Sequence, residues 1–234
     1  MHALRAGALV LGLQLAGPGV PLAQAEVAPP DPLDLAMRQC LASDDRSSSN
    51  GQIQCMTEAR SAWQGALQAD YQRLLMVSSA TARHDWQLSQ SRWLGWRSDE
   101  QQLERSVYST TQGTSYAMAQ ADMLLQPVRF RALALRSAVA QAGQAAASKG
   151  APSLPRACND DATCEHAMFD LNRYYTKLHD RLPEWMRPQL QRTQASWLAF
   201  RDASLPLLSE SERVDLIGSR VATLKRLSET VGGR

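Results

Sequence analysis

Apolar residues recur along most of the chain at spacings of three and four, the period of a helix with one buried face. In the second half, Leu171, Tyr175, Leu178 and Leu182 form one such stripe. Leu190, Gln194, Trp197 and Arg201 share the face of the next, with Phe200 beside them. Val214, Ile217, Val221, Leu224 and Leu227 mark a third, predicted over Glu210–Thr230. The first half runs in the same order. Trp63, Leu67, Tyr71 and Leu74 lie on one helix; Trp86, Gln90, Trp93 and Arg97 lie on the next, with Trp96 adjacent. A third helix runs from Tyr116 toward Ala146, where Pro127 is a candidate break. A short helix, Pro32–Ala42, precedes them. Pro183 ends one helix, Pro188 opens the next, and Pro206 breaks the chain before the last. Strand signals, β-branched alternation with tight turn pairs, are absent. The pattern predicts an all-α protein whose short connections make antiparallel neighbours.

Two heptapeptides organise the chain. "WLGWRSD" begins at Trp93 and "WLAFRDA" at Trp197, 104 residues later. At the same offset Gln90 matches Gln194, Arg97 matches Arg201, Leu67 matches Leu171 and Tyr71 matches Tyr175, without a gap. Cys55 and Cys158 lie at nearly that offset. We read this as an internal repeat: two antiparallel three-helix units, residues 32–147 and 158–234, joined by a linker at 148–157 within a stretch rich in Ala, Gly, Ser and Pro. A Trp and a second aromatic at i and i+3 anchor a helix-on-helix core. The Arg one turn on lays its stem on the Trp ring and sends its guanidinium to a carboxylate or to carbonyls of a neighbour.

The N-terminus changes the picture of where the chain works. Arg5, an apolar run over residues 6–16, helix-breaking Gly and Pro, and "AQA" at 23–25 have the layout of a secretory signal peptide cleaved after Ala25. Residues 26–31 read as a flexible lead-in. The apolar run is too short to span a bilayer, and no later segment is long enough, so the expectation is a periplasmic or secreted protein without a transmembrane segment after cleavage. Four cysteines then enter an oxidising space. Three connectivities are open. Local pairing, Cys40 with Cys55 and Cys158 with Cys164, is expected because each pair flanks the same place in the repeat.

Charge and chemistry narrow the function. Lys and Arg number 25 against 23 Asp and Glu, so nothing suggests a nucleic-acid surface. No nucleophile elbow, H-E-x-x-H or phosphate loop occurs. His84, His166 and His179 have no Ser, Cys or carboxylate partner at motif spacing. Cys158, Cys164 and His166 lack C-x-x-C spacing and an evident fourth metal ligand. The paired acids Asp44–Asp45, Asp99–Glu100 and Asp160–Asp161 suit helix starts and loops rather than an acid/base dyad. No catalytic residue, metal site or cofactor is expected, and the chain reads as a non-enzyme.

A local Cys pair followed by L-N-x-x-Y-x-x-L and Q-x-x-W-L-x-F-R-D-A appears here as Cys158, Cys164, "LNRYYTKL" (Leu171, Asn172, Tyr175) and "QASWLAFRDA" (Gln194, Trp197, Phe200, Arg201, Asp202). This resembles the LprI-like lysozyme-inhibitor family, small helical domains of the bacterial envelope. The second unit carries the pattern in full. The first, with Tyr71, Gln90, Trp93 and Arg97, is the divergent copy: it lacks the Asn and replaces Phe by Trp96. The resemblance implies a non-enzymatic, protein-binding role toward an envelope partner, a lysozyme in its sharpest form. Loops 108–115 and 158–164 are the candidates to enter an enzyme cleft, and the signature side chains are expected to be structural.

Overall fold

The computed structural model describes residues 30–147 and 156–233. The expected signal peptide, all but the end of the lead-in, and most of the linker lie outside the described residues. Seven α-helices and no strand occur among the described residues: α1 (Pro32–Leu41), α2 (Ser49–Val77), α3 (Ala80–Tyr108), α4 (Thr114–Ala147), α5 (Ala162–Arg181), α6 (Arg187–Ser204) and α7 (Glu210–Thr230).

Local chemistry sets the helix starts. Asp31 accepts from the Leu33 amide at 2.8 Å, with Pro32 behind it opening α1. Ser48 and Ser79 cap α2 and α3, and Asp161 caps α5. Ser209 and Glu212 form a reciprocal capping box on α7. Gly51 has a steric reason: a Cβ there would lie 2.6 Å from the Arg46 carbonyl oxygen. Pro127 does not break α4, which runs continuously through it. Its missing N–H deprives the Met123 carbonyl of its helical donor.

Both disulfides are the local ones, Cys40–Cys55 and Cys158–Cys164. The first clips α1 to α2. Arg129 of α4 holds Asp34 of α1 at 2.7 Å, while Arg136 bridges Asp31 and Asp70. The two guanidiniums lie 5.6 and 5.5 Å from the ring of the fully buried Trp63.

The packing of the long helices departs from the antiparallel-neighbour expectation in one instructive way. α2 packs along α4, and α5 along α7, each pair within one half of the chain. α3 has little contact with α2, to which only Ser78 and Ser79 join it; its main neighbour is α6, from the other half. Ser89 meets Ser204 at 2.8 Å and the Thr193 hydroxyl reaches the Asp99 carbonyl at 3.4 Å, so α3 and α6 run antiparallel. Trp96 and Phe200, 104 residues apart, stack at 5.6 Å with their planes 6° apart. Equivalent positions of the two heptapeptides thus meet each other, as they do about a twofold axis. Trp93 and Trp197 are 6% and 1% exposed and belong to a hydrophobic core continuous across both halves.

Charged side chains are buried along this seam, among them Arg97, Glu100, Glu104 and Arg220. Arg220 of α7 donates to Glu100 at 2.6 Å and to Gln194 at 3.1 Å. The Trp96 indole also donates to Glu100, at 3.1 Å. Arg97 lies 3.7 Å from Glu104, an ion pair without a hydrogen bond, and both Glu104 oxygens lack a hydrogen-bond partner. Burial, opposed by Arg97, raises the Glu104 carboxyl from its ordinary 4.5 to about 8. The folded state therefore retains a proton that the unfolded chain has released.

Two outcomes follow. Phe200→Ala should destabilise the fold by about 3–5 kcal/mol in urea unfolding, and a double-mutant cycle with Trp96→Ala should show coupling of about 1 kcal/mol. The stability that protonated Glu104 contributes is complete below pH 4.5 and is lost as pH rises toward about 8. Glu104→Gln should flatten that decline, by up to about 1.4 kcal/mol per pH unit at its steepest, measured by thermal unfolding from pH 5 to pH 8.

Candidate functional site

α4 and α7 lie over the α3–α6 seam with a cavity of about 610 Å³ between them. Its walls are joined across both ends. Asp122, near the start of α4, pairs with Arg226, near the end of α7, at 2.5 Å; Gln141, near the end of α4, donates to Glu212, at the start of α7, at 2.9 Å. The floor is aromatic: Trp93, Trp96, Trp197 and Phe200 all line it. Met123, Pro127, Phe130, Leu208 and Leu216 add apolar wall, and Asp122, Glu212 and Asp215 carry the acidic groups. This mostly apolar concavity with a few polar groups has the character of a binding site.

Three arginines line the cavity, Arg131 of α4 and Arg220 and Arg226 of α7, and Arg131 differs from the other two. It is 5% exposed. Its Nε donates to Gln90 at 2.9 Å and its Nη2 to Ser89 at 3.1 Å. Its guanidinium lies 5.8 Å from the Trp86 ring and 5.3 Å from that of Phe200. Burial pushes it down to about 9, still charged at neutral pH. The Tyr71 phenol opposes that shift, and Arg131 forms no ion pair among the described residues.

The residues singled out by sequence divide between this floor and the surface. Gln90 and Gln194 play matching parts, each accepting from a buried Arg of α4 or α7. Arg201 lies 5.7 Å from the Trp197 ring one turn before it, and bonds Asp202, the next residue of its own helix, at 2.8 Å rather than a carboxylate of a neighbour. Arg97 differs: it lies 5.8 Å from Trp96 rather than over Trp93, and is drawn inward beside Glu104. Leu171 is buried, Tyr71 and Tyr175 are half-buried, and Asn172 and Asp202 are exposed. The histidines sit apart: His84 and His166 are exposed, and the described residues hold no group of three His, Cys, Asp or Glu able to hold a metal ion. No helix among the described residues is long and apolar enough to cross a membrane.

Sequence reasoning missed Arg131, Arg220 and Glu104, and misplaced the Asp99–Glu100 pair: it lies inside α3 rather than at a helix start or loop, with Glu100 fully buried against Arg220. A signal was present. Arg131 falls in the apolar phase between Val128 and Leu135, and Arg220 between Ile217 and Leu224. A charged residue at a core phase of an amphipathic helix marks a buried ionic contact.

The comparisons agree with this architecture. A crystal structure of an uncharacterized protein from Burkholderia thailandensis is similar to this chain, with 62% sequence identity and a TM-score of 0.82, over 86% of this chain and 98% of that one. No curated protein matches it significantly. The family model described as lysozyme inhibitor LprI matches residues 40–135, the half in which the sequence motif is the more divergent. From the first disulfide through the middle of α4, the match covers Trp93, Arg97 and Arg131, and over that stretch the chain is similar to the LprI lysozyme inhibitor family.

Proposed function

We propose that this chain is an exported, non-catalytic protein of the cell envelope that binds a lysozyme. The family match over residues 40–135 is the observation that carries the reading. Two disulfides support a periplasmic or secreted location, since such bonds persist in oxidising compartments.

Of the two candidate loops, the one at 158–164 is better suited to present a partner-binding edge. Its ends are joined by Cys158–Cys164. Arg156, just before it, pairs with Glu210 at the start of α7 at 3.0 Å. Asp160 and Glu165 are exposed there, beside the half-buried cap Asp161. A braced acidic edge complements the basic surface common to lysozymes and speeds encounter with it. The loop at 108–115 is tied down instead: the Gly232 amide donates to Thr110 at 2.9 Å, and the Gln112 amide to the Gly233 carbonyl at 3.2 Å. Gly113 adopts a φ of 104° there, which favours glycine.

The test is a lysis assay with a basic lysozyme, paired with calorimetry on the purified protein. A one-to-one complex and slowed lysis are expected. Asp160→Asn with Glu165→Gln should weaken the complex about tenfold at low salt, with a smaller effect at high salt. Full lysis at micromolar excess with no heat of binding would eliminate the lysozyme reading. Capture of a lysozyme-free envelope assembly would favour a scaffold role.

A further inference from the structure

The 104-residue register exposes an asymmetry in the cavity floor. Arg220 bonds Gln194 on one side and the carboxylate of Glu100 on the other. Arg131 bonds Gln90, the equivalent of Gln194. The position equivalent to Glu100 is Ser204, which lines the cavity and bonds Ser89 at 2.8 Å. One half of the seam thus supplies its buried guanidinium with a counter-ion, and the other half puts a hydroxyl in its place. Arg131 is left cationic, 95% buried and without a carboxylate partner among the described residues, on the wall of a mostly apolar cavity. A buried charge without a counter-ion is costly in a low-dielectric site, and an anionic ligand removes that cost.

We infer that the cavity between α4 and α7 binds an aliphatic monocarboxylate, its headgroup paired with Arg131 and its chain lying on Trp93, Trp197 and Phe200. Single charge follows from the inventory of cations. Arg226 is taken by Asp122 and Arg220 by Glu100. Arg131 already spends Nε and Nη2 on Gln90 and Ser89, leaving Nη1 without a hydrogen bond to the described residues. Asp215 and Glu212 on the walls repel a dianion. A small amphiphile rather than a peptide strand follows from the Asp122–Arg226 and Gln141–Glu212 bridges, which bound the length of the cavity. The volume of about 610 Å³ lies within the range of small-ligand sites. Nothing in this inference depends on the acidic loop or on lysozyme.

The test uses the purified protein with both disulfides intact. It is titrated with decanoate, decanol and decyl phosphate below their micellar concentrations, read by tryptophan fluorescence and calorimetry. Decanoate is expected to bind in the micromolar range, at least tenfold tighter than decanol and tighter than decyl phosphate. Arg131→Met should bring decanoate and decanol to within about threefold of each other. Ser204→Glu supplies the counter-ion found in the other half; it should leave the melting temperature equal or higher and weaken decanoate at least tenfold. Equal binding of decanol and decanoate by the unaltered protein, absence of decanoate binding, or preference for decyl phosphate would each overturn the inference, and these three readings need no variant to fold. Undiminished decanoate binding by folded Ser204→Glu would overturn it too.

Discussion

The contact on which the structure depends is the antiparallel seam of α3 and α6. It sets the stacked rings of Trp96 and Phe200 at its centre and the indoles of Trp93 and Trp197 to either side. Each of the other long helices has its main partner in its own half, α2 with α4 and α5 with α7. The seam carries one apolar interior through both halves. Aromatic side chains suit this task because each brings a large buried area with few rotatable bonds. Stacking adds a preferred geometry that aliphatic packing lacks.

The seam also explains where the buried charges lie. Arg97, Arg131 and Arg220 extend from three helices into the region around the stacked rings, where aromatic faces and amide oxygens solvate a guanidinium but do not neutralise it. Glu100 neutralises Arg220 well, at hydrogen-bond distance. Glu104 faces Arg97 at ion-pair distance only, and its carboxyl holds a proton over part of the neutral range. Arg131 has no acid partner among the described residues. The three arginines thus form a graded series, from a tight pair through a loose one to none. The ungraded end opens on the cavity.

Much of this fold was legible in the amino-acid pattern. The stripe Leu171–Tyr175–Leu178 and the Trp at matching places in two heptapeptides were enough for helices, helix faces and cystine partners, because these follow from local periodicity and short-range chain geometry. The partner of α3 was not legible. A two-residue connection at Ser78 and Ser79 argues for packing α3 on α2, and only the complementarity of Trp96 with Phe200 in space overrules it. The cavity was equally hidden, since its walls come from α4 and α7, which are far apart in sequence and bridged by Asp122–Arg226 and Gln141–Glu212. The arginines of its floor lay in plain view at apolar phases, where a periodicity read for hydrophobic residues passes over a charged one.

Where Trp96 stacks on Phe200, 104 residues further on, the seam has the self-complementary pairing of an isologous interface within one chain. Within one chain the two sides of the seam need not carry the same residue. A homodimer must place the same residue at both ends of its axis, whereas a single polypeptide can keep Glu100 on one side and let Ser204 drift on the other.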